Sequence, residues 1–357
     1  MKASKRVFIN EIFLIRAVAC IAVVVIHTLT VSVMNYDLPS TTEGPIRYVQ
    51  LLLMFATPTF ILISEILVSH SYREGTPKGF LVKRMKYILL PYLFMGTVYA
   101  LYDLIVYSMT AADFFNHLKD ILLLGRWHGY FILIIMQFYL LHLFFQRFLL
   151  NFSPGIVLFV AAILNFSYLG IVNFVKPFGF SNAFYIWYDF SRIPFLGWIL
   201  YFTVAFYIGR DIERFRHILS RWKIPVLIGT IFMGSLLLYF RREKILTMIS
   251  SNRVDVIVYT ILVLLLLFVI GTWLERIPRI IVLISQYSFG IYLLHPFFLQ
   301  LLNLYYSKTG EVSLLTYSIT SFIAGVAGPI VVTFLLNLTP VGAFTVGKIG
   351  VKPRPAN

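Results

Sequence analysis

The chain of 357 residues is 59% hydrophobic and only 13% charged, which excludes a soluble globular domain because water does not tolerate so apolar a surface. A net charge of +15 does not point to nucleic acid, since Lys and Arg sit between apolar runs rather than on one soluble face. One cysteine, Cys20, excludes a disulfide framework or a cysteine-built metal cluster, and no metal or bound cofactor is expected.

The apolar residues fall in runs of roughly 18 to 25, the length that crosses a hydrocarbon layer. Leu264 to Leu267 do not alternate in polarity, so an outer-membrane barrel is excluded. The expected fold is an all-α polytopic membrane protein, one domain over 1-357. Its ten spans are 12-34, 46-68, 84-108, 130-149, 155-175, 193-209, 224-240, 254-272, 280-305 and 315-337. Lys2, Lys5 and Arg6 precede the first span without a small-residue cleavage pattern, so that span is expected to remain as an anchor.

An even number of spans puts both termini on one side. With the N-terminus inside, 19 of the 30 Lys and Arg residues fall in inside segments, 10 fall outside, and Arg16 lies within a span. Cytoplasmic termini follow. Arg241, Arg242, Lys244 and Arg253 dissent; they read as an ordinary solvated outer loop, or as cations for an acidic glycan or lipid headgroup. The connections 35-46, 109-129 and 176-192 are too short to bury a core and read as a cap over the outer face.

Ionisable residues inside a membrane are costly and therefore mark function. Arg16 and His27 are eleven residues apart, three helical turns plus about 20°, so they share a face about 16 Å apart along the axis. They cannot touch. Such a pair suits a fixed cation holding an anionic group near the cytoplasm and an imidazole acting as general base further out. The alternative is an arginine that snorkels to the headgroups and a histidine bonded to a neighbouring helix.

Three further segments carry chemistry. Ser288, Tyr292 and His295 line one face of the ninth span, either bonding other helices or contacting substrate. Lys83, Arg84 and Lys86 open the third span, where they pair with anionic lipid or grip the phosphates of a nucleotide-type donor. Trp127 and His128 precede the fourth span, which continues to Gln137 and Tyr139. They read as an interfacial aromatic belt or as a cradle for sugar.

The order of these motifs resembles the acyltransferase-3 family of membrane-bound O-acyltransferases, which decorate cell-surface polysaccharides. The matching elements are Arg16-x10-His27, the Phe60-Ile-Leu-Ile-Ser64 run, the Phe80, Arg84, Pro91-Tyr92 segment, and Ser288-x3-Tyr292-Leu-Leu-His295. The resemblance implies an acyl-CoA donor from the cytoplasm, an outer glycan acceptor, His27 as catalytic histidine, and Arg16 and Arg84 toward the donor, with Lys83 and Lys86 beside them. Many members carry Asp three residues before the first-helix Arg and Ser-Gly after the aromatic run. Here Phe13 and Ser64-Glu65 stand there, and Glu11 is the candidate replacement carboxylate. The pattern looks most like the intercellular-adhesin branch serving poly-N-acetylglucosamine.

Two functions follow. One is transfer of an acetyl or succinyl group from acyl-CoA to a surface glycan by a bacterial plasma-membrane enzyme, with Trp127, His128, Gln137, Tyr139, Ser288, Tyr292 and His295 as supporting or acceptor-binding residues. The other is export of a poly-N-acetylglucosamine-type polymer along a path lined by the buried charges. Neither involves nucleic acid. Both involve membrane lipid.

Overall fold

The computed structural model describes residues 9-175, 187, 189, 191-274, 276-310 and 312-351. Lys2, Lys5 and Arg6 and most of connection 176-192 lie outside the described residues. The helices are α1 (Glu11–Asn35), α2 (Ser40–Leu52), α3 (Ala56–Ser71), α4 (Phe80–Val106), α5 (Ala111–Leu124), α6 (Phe131–Leu149) and α7 (Pro154–Phe174). They continue with α8 (Ile199–Arg210), α9 (Ile212–Arg221), α10 (Lys223–Arg242), α11 (Val256–Trp273), α12 (Arg279–Thr309) and α13 (Leu314–Asn337). Among the described residues, nine helical stretches are long and apolar enough to span a membrane, and the pair α8 and α9, bent by 103°, makes a tenth.

Local chemistry places the ends. Pro154 occupies the first turn of α7 behind Ser153, whose hydroxyl accepts from Ile156 N–H, and Ser313 caps α13 through Thr316 N–H at 3.2 Å. Thr110 caps α5 by accepting from Asp113 N–H, and Gly125 ends it at φ 56°, a left-handed conformation that glycine adopts without cost. In the peripheral helices the usual pattern is inverted. Ile156 and Phe159 of α7 and Ile228 and Phe232 of α10 are more than half exposed, as lipid-facing side chains must be.

α1 is the centre of the bundle, packed on α3, α11, α12 and α13. Both ends of the described chain lie on one face: Glu11 sits against Gly271 near the end of α11, and Gly350 N–H bonds Gln286 O near the start of α12 at 2.8 Å. This is the terminal face; the opposite one is distal.

The expected cap is only partly on the outside. α5 packs along α4, with Tyr92 hydroxyl reaching Ile121 and Leu122 carbonyls, so the connection 109-129 runs back into the bundle instead of lying over it. Trp127 packs on Tyr92 and Tyr99 at ring separations of 5.2 and 5.3 Å. It is a bundle residue, not a member of an interfacial belt. The reason is length: α6 alone has 19 residues and begins within the bundle, and α5 supplies the remainder of the crossing.

A close backbone approach joins α3 to α8 at Gly209, where a Cβ would come within 2.3 Å of Ile66 O. Gly209→Ala is expected to destabilise the bundle by about 1–3 kcal/mol through overpacking. Gly170→Ala, in open space on α7, should leave stability unchanged or raise it by about 0.5–1 kcal/mol. Thermal unfolding midpoints in detergent check both, and equal midpoints for the two variants would contradict this packing.

Candidate active site

The two residues expected to lead the chemistry fall in two different cavities. A cavity of about 270 Å³ lies toward the terminal face and is lined by Arg16 of α1, Arg84 of α4, Lys348 of the C-terminal tail, and Ser64, Tyr139 and Ser288. A larger one of about 800 Å³ lies toward the distal side and is lined by His27, His128, Trp127, Arg126, Arg192 and Asn252. Tyr292 borders both. It stacks edge-on to Phe131 at 4.2 Å, Phe60 lies 6.5 Å away, and its hydroxyl donates to His128 O. These three aromatic rings partition the spaces, as the axial separation of Arg16 and His27 requires.

The cavities differ in charge. In the distal one every arginine is already engaged: Arg126 bonds Asp189 and Asp120, each at 2.7 Å, Arg47 bonds Glu43 at 3.1 Å, and Arg192 donates to the carbonyls of Gly125 and Trp127 over the ring of Tyr130. In the terminal-face cavity no carboxylate pairs with Arg16, Arg84 or Lys348 among the described residues. Arg84 lies over the rings of Phe80 and Tyr139 at 5.1 and 5.0 Å, its Nε buried without a partner, and Lys348 lies over Tyr87 at 3.7 Å. Cations on aromatic faces with no counter-ion hold capacity for an anion.

A π-helical turn at Met85–Leu89 aims the segment. Arg84, Tyr87 and Ile88 face the cavity, whereas Lys83 and Lys86 are exposed and do not line it. Ser64 donates to Tyr139 hydroxyl at 3.0 Å, and Glu65 accepts from His142 Nδ1 at 2.6 Å, both residues fully buried. Glu65 therefore supports the wall rather than lining the cavity. Ser288 donates to Ser285 O. Gln137 holds the backbone before α8, donating to Ile193 O at 2.8 Å and accepting from Phe195 N–H, and lines neither cavity.

Two readings of charge are corrected. Glu11 does not replace a carboxylate for Arg16: it takes Arg216 of α9 at 2.7 and 2.8 Å. Five residues turn a helix by about 500°, which puts Glu11 about 140° away from Arg16 around α1. Arg253 belongs neither to a solvated loop nor to a surface cation patch. It is fully buried, paired with Asp255 at 2.5 Å, and donates to the carbonyls of Leu246 and Met248. It folds the 243-255 connection onto the bundle, where Ser251 bonds Met54 O and Asn252 donates to Ser191 O.

Lys348 was not singled out by the sequence. No local signal marks it, since its place depends on a tail pinned by Gln286 to Gly350 bonds and by Asn337 to Gly347 O at 3.0 Å. Trp127 and His128 were singled out, and the fold carries them beside His27, with the two histidine rings 6.4 Å apart.

The fold and the site define a multi-pass helical membrane protein with a cation-lined cavity toward one face and a histidine-lined cavity toward the other. The family comparison gives the particular class: residues 9-338 match the acyltransferase-3 model, described as an acyltransferase domain, and the chain belongs to that family. It is an acyltransferase and a bacterial multi-pass membrane protein. A Bacillus subtilis (strain 168) protein named "Putative membrane-bound acyltransferase YfiQ" is 35% identical over 349 residues, 96% of this chain and 95% of that one. A Staphylococcus aureus (strain MSSA476) protein named "Probable poly-beta-1,6-N-acetyl-D-glucosamine export protein" is 28% identical over 298 residues, 83% of each. A Staphylococcus epidermidis protein of the same name is 29% identical, over 83% of this chain and 82% of that one. No solved structure matches.

Arg253→Met is expected to cost about 3–5 kcal/mol of stability, because Asp255 is left charged, buried and alone. Arg242→Met, on a 78% exposed side chain, should cost nothing measurable. Detergent unfolding midpoints that move equally for the two would contradict the assigned role of Arg253.

Proposed function

We propose that this acyltransferase moves a small acyl group, acetyl or succinyl, from acyl-CoA held in the terminal-face cavity to a hydroxyl of a surface glycan held in the distal cavity, with the terminal face cytoplasmic. The observation that carries this reading is the charge asymmetry: Arg16, Arg84 and Lys348, without a carboxylate partner among the described residues, in one cavity, and arginines already engaged in the other. Phosphates of a nucleotide-type donor suit the first. An uncharged, hydroxyl-rich chain beside Trp127 suits the second.

In this reading the donor's phosphates stay near Arg84 and Lys348 while its flexible arm carries the thioester past Arg16 toward the partition formed by Tyr292, Phe60 and Phe131. His27 accepts the proton of the acceptor hydroxyl as the oxygen attacks the thioester carbonyl. The C–O bond forms, the C–S bond breaks, and His27 returns the proton to the departing thiolate. The partition keeps the water of the distal cavity away from the thioester until an acceptor is seated.

His27→Ala should cut glycan acylation by about 10²–10⁴-fold while the protein still inserts, as read by mass analysis of surface polysaccharide. Arg16→Gln and Arg84→Gln should each raise the donor KM by roughly tenfold to a hundredfold, since a hydrogen bond to a charged group contributes about 1.5–3 kcal/mol. Unchanged acylation in the His27 variant would sink the proposal. Export predicts a different phenotype, intracellular accumulation of polymer in cells lacking the protein, and normal export of unmodified polymer there argues for transfer.

Orientation has its own check. In a Cys20→Ala background, a membrane-impermeant maleimide should label Thr247→Cys in intact cells and Lys348→Cys only after permeabilisation; the reverse pattern would invert the assignment.

A further inference from the structure

Three histidines from three separate segments meet between the cavities. His27 of α1 and His295 of α12 have ring centroids 5.0 Å apart, His128 and His295 5.5 Å, and His27 and His128 6.4 Å. His27 and His128 line the distal cavity, and His295 stands behind them, fully buried.

Hydrogen bonds decide which nitrogen carries the proton in two of the three. His295 Nδ1 lies 3.0 Å from Ile291 O and 2.9 Å from Tyr292 O; carbonyls only accept, so Nδ1 is the N–H and Nε2 holds a lone pair. That Nε2 is buried with no partner. By the same logic His128 donates Nε2–H to Leu293 O and carries its lone pair on Nδ1. A lone pair in a water-poor interior without a donor is costly and therefore calls for one. His27, the nearest ring to His295, makes no hydrogen bond of its own among the described residues.

We propose that His295 is the positioning residue of His27. Its Nε2, turned away from its own helix by the Nδ1 bonds to the α12 backbone, receives one N–H of His27 once the His27 ring rotates toward it, with or without an acceptor present. The other His27 nitrogen then bears the lone pair facing the distal cavity. The two rings are not bonded in this structure, and the 5.0 Å centroid separation leaves a rotation of His27 to close the contact, as substrate-free sites commonly require. During transfer the acceptor proton moves to His27 and on to the thiolate, while the shared N–H stays between the histidines and steadies the transient imidazolium. The inference rests on the acyl-transfer reading for the step it serves, and the geometry stands without it.

The test uses full-length protein in lipid nanodiscs and diethyl pyrocarbonate, which carbethoxylates an unprotonated imidazole nitrogen, with mass spectrometry reading each histidine. Asn at position 295 can keep the bonds to the carbonyls but ends short of Nε2; Gln reaches the Nε2 position with an accepting oxygen. His295→Asn should slow modification of His27 by about tenfold and His295→Gln by no more than about twofold, with exposed His217 unchanged as internal control. In the acylation assay His295→Asn should lower kcat at unchanged donor KM and add nothing to His27→Ala. Equal slowing of His27 in both variants shows a packing effect and overturns the proposal, as does an unaffected His27 in His295→Asn. Because the chemical probe needs no acyl donor, those outcomes are separate from failure of the acyl-transfer reading.

Discussion

The structure depends on the cost of placing charge in a hydrocarbon layer. Among the described residues the buried carboxylates Glu11, Glu65 and Asp255 each take a basic partner. Glu11 takes Arg216, Glu65 takes His142, Arg253 takes Asp255, and Arg126 is shared by Asp120 and Asp189. These pairs fix α9 to the start of α1, α6 to α3, and the pre-α6 turn to the segment before α8, while the Arg253–Asp255 pair is local and Arg253 reaches α10 through Leu237 O. Against that pattern of satisfied charge, Arg16, Arg84 and Lys348 stand out as cations whose surroundings were left open.

Interrupted crossings shape the distal cavity. α6 starts inside the bundle because Gly125 breaks the long descending path above it, and α8 starts there after a short 3₁₀ turn at Phe195–Trp198. Irregular backbone at membrane depth is tolerated only where protein satisfies it or a polar cavity borders it, and both conditions hold. Arg192 binds the carbonyls of Gly125 and Trp127, Gln137 binds the backbone before α8, and Asn165 bridges Gly197 O and Leu200 N–H. The distal cavity opens between them, and His128 reaches His27 by this route.

The partition of Tyr292, Phe60 and Phe131 bears on the two names carried by relatives. A transferase needs the two spaces to meet at one reacting atom; an exporter needs them to merge into a passage wide enough for a polymer. The described residues form two spaces with aromatic rings between them. That arrangement suits chemistry across a barrier. It also explains why Arg16 and His27 lie on one helix face yet never touch.

The sequence by itself determined the membrane class, most of the spans to within a few residues, and the shared face of Arg16 and His27, because hydropathy and helical period are local properties; it missed that the fourth crossing begins with α5. It also marked Arg84, Ser288 and Tyr292 through their position in a family pattern and Tyr139 as a polar aromatic residue of the fourth span, and all four line the terminal-face cavity. Only the tertiary structure decided which charges pair. Glu11 and Arg216 are 205 residues apart, and no local rule connects them. It alone turned Lys83 and Lys86 outward, buried Arg253, brought Lys348 to the cavity of Arg16 and Arg84, and gathered His27, His128 and His295. Those outcomes depend on which helices become neighbours and on where a crossing is broken, and such contacts are set by packing between segments distant in the chain.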